Sequence, residues 1–109
     1  MIEELERVYV INVKAFEARR QHVTAELARF GVTAEFVHEW DVPELNADCA
    51  RWFAQPCTLS PAQMSCCMKH LTALQRIIER GEDRALILED DVVLADGFAE
   101  AVRIATQER

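Results

Sequence analysis

The segment RVYVINV, residues 7–13, is nearly unbroken in apolar and mostly β-branched side chains. A strand wetted on one face alternates apolar with polar residues, and a strand covered on both faces need not. The run therefore reads as a strand of a parallel sheet packed between helices. Outward from it the period changes. Over residues 15–30 the apolar side chains Phe16, Val23, Leu27 and Phe30 recur at helical spacing among Glu17, Arg19, Arg20 and Glu26, and Gly31 supplies a stop. VTAEFVH, residues 32–38, offers a weaker second strand and completes a strand, helix, strand order whose crossover is expected to be right-handed.

Further along, residues 39–59 are the least regular, and a short helix is expected over 44–53 with Leu45, Cys49, Trp52 and Phe53 on one side. Ser60 as N-cap, Pro61 at the first helical position and Gln63 three residues after the cap make a strong helix start. That helix should run to about Arg80, with Met64, Cys67, Met68, Leu71, Leu74 and Ile78 at helical spacing and Gly81 as its break. RALILE, residues 84–89, is a further short strand and is expected to be central. Asp96 can cap a last helix through Phe98, Val102 and Ala105.

The whole chain, residues 1–109, is the size of one small α/β domain. Half its residues are hydrophobic and 28% are charged, which is enough apolar surface to offset the entropy of ordering. Three Gly and three Pro are too few for a turn-rich sandwich. A formal charge of −7 disfavours nucleic acid as a partner, because such binding draws its affinity from a basic surface. No apolar run approaches the ~20 residues that cross a bilayer. The acidic opening MIEELERVYV lacks the features of a secretory signal, so the reducing cytoplasm is the expected compartment. Cys49, Cys57, Cys66 and Cys67 lack C-x-x-C or zinc-type spacing and are expected to stay metal-free, the adjacent Cys66 and Cys67 packing as small apolar residues.

Chemistry concentrates in Glu89-Asp90-Asp91, directly after the strand Ala85-Leu86-Ile87-Leu88. In open α/β sheets ligands bind outside the carboxyl ends of the strands, where these acids lie. Neighbouring carboxylates raise the cost of ionising one another, and a divalent cation relieves that repulsion. Oxygen donors suit Mg²⁺ or Mn²⁺, which keep positions for water and substrate phosphate. A solvated acidic turn before Val92 would use the same residues without a metal. Response-regulator receivers also place acids after an apolar strand, but there the pair follows the first strand, and here too little chain lies behind it.

Taken in order, Val8-Tyr9-Val10-Ile11-Asn12-Val13, Arg19-Arg20, Leu59-Ser60-Pro61, Cys67-Met68-Lys69-His70-Leu71 and Leu86-Ile87-Leu88-Glu89-Asp90-Asp91-Val92 resemble glycosyltransferase family 25. That family includes bacterial lipopolysaccharide and lipooligosaccharide galactosyltransferases, and the resemblance spans residues 7–98. It implies a GT-A-like, Rossmann-like, mostly parallel sheet flanked by helices. It also implies metal-assisted transfer of a sugar, galactose above all, from a nucleotide-sugar donor such as UDP-galactose to a lipopolysaccharide-type glycan or lipid-linked acceptor, an acceptor met at the inner membrane.

By position the resemblance implies donor contacts for Asn12, Arg19, Asp41, His70 and Asp90, and Mn²⁺ or Mg²⁺ on Glu89 and Asp91. The bland readings are a turn for Asn12, a solvated Arg19, a cap or turn acid for Asp41 and a packed helical histidine for His70. Two departures stand out: Lys69 replaces the family's usual serine before the histidine, and the first loop reads Val13-Lys14-Ala15-Phe16. Family members usually continue well past the acidic run, so the chain is expected to be the donor-side, nucleotide-sugar-binding part of a larger transferase. The alternative is a truncated or catalytically silent relative acting as a binding or assembly module.

Overall fold

Three parallel strands form the sheet in the computed structural model, which describes residues 2–107. β1 (Arg7–Ile11) pairs on one side with β2 (Glu35–Val37) and on the other with β3 (Ala85–Glu89). The parallel α/β arrangement is as expected, but among the described residues the central strand is β1, and β3 lies at an edge. The exposures of Val8, Tyr9, Val10 and Ile11 are 3%, 0%, 0% and 6%, whereas β3 is only half-buried from Ala85 to Leu88. Both strands are apolar runs, and apolar content does not reveal which one has neighbours on both sides.

The pleat of β1 divides the core between two faces. Val8 and Val10 meet Val23 and Leu27 of α1 (Glu17–Ala28), together with Leu94, Phe30 and Phe98. Phe98 opens α4 (Phe98–Gln107) and its ring stands edge-on to Phe30 at 5.2 Å. Tyr9 and Ile11 face the other way, onto Ala73, Cys66 and Ile77 of α3 (Pro61–Arg80). Between β2 and α3 the chain forms a 3₁₀ turn (Val42–Glu44) and a one-turn helix, α2 (Ala47–Ala50), rather than one helix over 44–53. Asn46 caps α2 by accepting from the Cys49 amide.

The ends of α3 match the sequence signals. Ser60 accepts from the Gln63 amide while Gln63 accepts from the Ser60 amide, and Gly81 adopts a left-handed φ of 64° that non-glycine residues avoid. The side turned to the core does not match the apolar spacing. Cys67, Leu71, Leu74 and Ile78 are exposed, and Ser65, Met68, Lys69 and Ala73 are buried. Cys67 therefore does not pack as a core residue. Small residues at 65, 66 and 73 let the helix lie close to the sheet, and Ser65 and Lys69 are tolerated inside because loop carbonyls accept their hydrogens.

Asp96 is not the cap of α4. It lies ahead of the helix with its carboxylate 2.6 Å from the Arg29 guanidinium. Arg29 also donates to the Leu94 carbonyl, and Glu26 accepts from the Leu94 amide, so α1 holds the chain that leaves β3. Among the described residues, no helix is long and apolar enough to cross a membrane.

Candidate functional site

The parallel register sets Ile11 opposite both Val37 and Glu89, so the strands end level and their following residues gather at one rim. Asn12 and Asp90 are the first residues past β1 and β3. Asn12 is 1% exposed and its amide is fully committed. Nδ2 donates to Asp90 Oδ2 at 2.8 Å and, longer, to the Phe16 carbonyl at 3.4 Å, while Oδ1 accepts from Arg20 at 3.1 Å. Arg20 also donates to the Lys14 carbonyl at 3.0 Å, which ties the β1–α1 loop to the hub. Asp90, itself 6% exposed, takes the Arg19 guanidinium at 3.5 Å on its other oxygen. Arg19 is more than half exposed and lies over the Phe16 ring at 5.1 Å.

These groups wall a cleft of about 190 Å³, closed on the far side by Ser65, Cys66 and Lys69 of α3. Of the residues expected at the donor, Asn12, Arg19 and Asp90 come together here. Asp41 belongs to the next layer. Its carboxylate takes the Lys69 ammonium at 2.7 Å and the Lys14 amide at 3.3 Å. Lys69, with a side chain 1% exposed, also donates to the carbonyls of His38 and Glu39 at 2.8 and 3.0 Å, so all three of its hydrogens are used. The ammonium thereby fastens the loop after β2 to α3. Trp40, in that loop, holds a positive φ of 71°, and its carbonyl accepts from Ser65 Oγ at 2.6 Å, which secures the strained turn and aims Asp41 at Lys69.

Burial pushes the Asp41 carboxyl up, but the Lys69 and Lys14 hydrogen bonds and charges outweigh it and hold the group below its ordinary value. His38 is depressed chiefly by burial, with the charges of Arg20 and Lys69 adding to it against a hydrogen bond with the Asn12 backbone and the charge of Asp41. Among the described residues its Nδ1 has no hydrogen-bond partner. A depressed histidine stays neutral in the fold while the unfolded chain protonates, so its contribution to stability is present above about pH 6.5 and is lost as pH falls. The melting temperature is expected to fall between pH 7 and 5, and His38→Gln should flatten that part of the profile. An unchanged slope in His38→Gln would remove His38 as the cause. Asp41 extends the loss into the carboxylate range.

His70 does not face the Asn12 cleft. It lies one turn beyond Cys66 on α3, and with Cys66 and Glu89 it lines a wider cleft of about 670 Å³ whose other walls include Trp52, Phe53 and Leu59. Glu89 lines both spaces. Its carboxylate accepts from Cys66 Sγ at 3.5 Å, and burial, with the Glu89 charge and hydrogen bond adding, pushes the Cys66 thiol up to about 11. Asp91 is exposed on the turn after β3 and lines neither cleft. The three acids thus diverge: Glu89 toward α3, Asp90 toward Asn12 and Arg19, Asp91 to solvent.

Three residues that shape the two clefts escape a reading of single motifs. Arg20, not Arg19, organises Asn12. Lys69 fixes Asp41. Cys66 joins His70, a pairing visible only as C-x-x-x-H on one helix face. The oxygen donors of Glu89 and Asp91 suit a hard cation in kind, and neither takes part in a salt bridge among the described residues, whereas Asp90 does.

No curated protein matches the chain. A family model described as "Glycosyltransferase family 25 (LPS biosynthesis protein)" matches residues 5–109, which take in every strand and helix lining the two clefts. With that match over nearly its full length, the chain belongs to glycosyltransferase family 25.

Proposed function

We propose that the chain binds a nucleotide-sugar donor, UDP-galactose in the family's commonest form, at the rim above β1 and β3 for transfer to a lipopolysaccharide-type glycan acceptor. The observation that carries this reading is the buried Asn12–Asp90 pair, which aims a largely exposed Arg19 into the cleft at the strands' carboxyl ends. A solvated surface arginine needs no such support, whereas a diphosphate needs a guanidinium at a defined place. The parallel sheet and its helices agree with a GT-A-like architecture.

In the transfer, the acceptor hydroxyl oxygen forms a bond to the anomeric carbon and gives up its proton to a general base as the bond to the donor phosphate breaks, and the electron pair of that bond leaves with the nucleoside diphosphate. Arg19 meets the charge growing on that diphosphate. Asp90 orients Arg19, Asn12 holds Asp90, and Arg20 with the Lys14 carbonyl holds Asn12. Mn²⁺ or Mg²⁺, when bound, would neutralise the leaving group; of the two acids expected to hold it, Glu89 lines the cleft, whereas Asp91, exposed on the turn, does not. His70, in the wider cleft, offers a ring nitrogen to the sugar hydroxyls. Lys69 has no hydrogen left for phosphate and acts through Asp41. Donor binding of this kind is expected at the cytoplasmic face of the inner membrane, where the lipid-linked acceptor is built.

Millimolar UDP with Mn²⁺ is expected to raise the melting temperature, since ligand at ~100 times its Kd adds about 2.7 kcal/mol to stability. Arg19→Ala should weaken UDP roughly tenfold, the scale of one charged hydrogen bond, and Glu89→Gln should remove the Mn²⁺-dependent part of the shift. No shift with either ligand at millimolar concentration would refute the donor site.

A further inference from the structure

We propose that Cys66, His70 and Glu89 form a three-ligand site for a zinc-class transition metal, open at its fourth position toward the cleft beside Trp52. One ligand atom from each of the three lies within 4.8 Å of the other two. In a tetrahedral zinc site, bonds of about 2.3 Å to sulfur and 2.0–2.1 Å to nitrogen or oxygen set the ligand atoms roughly 3.5 Å apart. Closing the remaining gap takes about 1 Å of side-chain motion, and Glu89 is exposed enough to supply it.

The backbone prepares the triad. Cys66 and His70 are four residues apart on α3, a helix capped at both ends, so they lie on one face a turn apart. Glu89 is fixed by its register opposite Ile11 on the central strand, and Cys66 packs in the core cluster that joins α3 to that strand. The donor set of sulfur, nitrogen and one carboxylate oxygen is the set for Zn²⁺ and Co²⁺; Mg²⁺ and Ca²⁺ take oxygen ligands. As the metal binds, the thiolate replaces the thiol and its proton passes to solvent. All three ligands line the wider cleft, which leaves the fourth coordination position facing that space, filled by water. The site stands on these three side chains and does not rest on the transferase reading, although it shares Glu89 with the cation and His70 with the sugar contact proposed there, so metal and donor would compete for them.

The test uses Co²⁺ alone, without nucleotide, on the reduced full chain. One equivalent is expected to bind with a sulfur-to-cobalt charge-transfer band in the near ultraviolet. One equivalent of Zn²⁺ should bleach the band, and millimolar Mg²⁺ should leave it. Cys66→Ser should abolish the band while the circular dichroism spectrum is kept. His70→Gln and Glu89→Gln should each weaken Co²⁺ at least tenfold, and they carry the test if Cys66→Ser does not fold. Cys67→Ser, at the exposed neighbour, should bind as the parent does. A band that survives Cys66→Ser, a band lost in Cys67→Ser, or no Co²⁺ binding at all would overturn the site. Because UDP is absent, failure here and failure of UDP to shift the melting temperature are separate results.

Discussion

Replacing Lys69 with methionine is expected to lower the melting temperature by roughly 10 °C or more. Removing one partner of a buried ion pair typically costs ~3–5 kcal/mol, and in a domain of this size each kcal/mol moves the midpoint by about 4 °C. The expected cost is at the high end because the loss is threefold. The Asp41 carboxylate, 13% exposed, is left without its cation, and the carbonyls of His38 and Glu39 lose their donor. Asp41→Asn also leaves a buried charge unpaired, but the ammonium would keep both carbonyls and an amide oxygen, so its cost should be smaller than that of Lys69→Met, which strands three acceptors. That asymmetry separates a cation that fastens a loop from a simple pair in which either partner matters equally. Thermal unfolding of the two variants and their double variant measures it. A change below about 3 °C in Lys69→Met, or an equal loss in both single variants, would contradict the arrangement.

The same residue marks how far the sequence could be read. Lys69 was visible as a departure from the family's usual serine. Its partners are a side chain and two carbonyls in a loop some thirty residues earlier, which no local pattern reports. Local signals did better. Ser60, Pro61, Gln63 and Gly81 fixed both ends of α3, because capping chemistry is complete within a few residues. The continuous apolar run at 7–13 correctly implied a strand covered on both faces. The rotation of α3 escaped detection, because Leu71, Leu74 and Ile78 outweigh Ser65, Lys69 and Ala73 in hydrophobicity, yet the smaller side chains permit the close approach. Arg19 and Arg20 are about 100° apart around α1, so which of them turns inward to Asn12 depends on a helix setting that is determined by Val23 and Leu27 packing on β1. The level ends of the three strands, which gather Asn12, Glu89 and Asp90, follow from register, and register is a property of the pairs rather than of either strand.

Asn12→Asp is expected to invert the pH response of the hub. In the parent, the Asn12 amide donates to Asp90 Oδ2 at 2.8 Å within a buried pocket. The substitution turns that donor into a second acceptor. Two carboxylates at hydrogen-bond distance in a site this dry share one proton, so the pair binds that proton more tightly folded than unfolded, where aspartates titrate near 3.9. With the folded-state affinity raised, the variant's stability is fully present below the unfolded value and is lost as pH rises through the pair's own titration. Arg20, now at 3.1 Å from Asn12 Oδ1, and Arg19, at 3.5 Å from Asp90, oppose the effect by favouring the ionised forms. Arg19 is more than half exposed, so solvent screens its share. The gap in melting temperature between parent and variant should therefore be widest near pH 8 and should narrow toward pH 4, even though the parent itself weakens in acid through His38 and Asp41. Asn12→Ala serves as the control. It breaks the same hydrogen bonds but adds no titrating group, so its gap should stay nearly constant with pH. A gap for Asn12→Asp as flat as that of Asn12→Ala would mean that the two arginines hold both carboxylates ionised. The rim would then carry a stronger positive field than the Asn12–Asp90 bond implies, and the buried pair in the variant would share no proton.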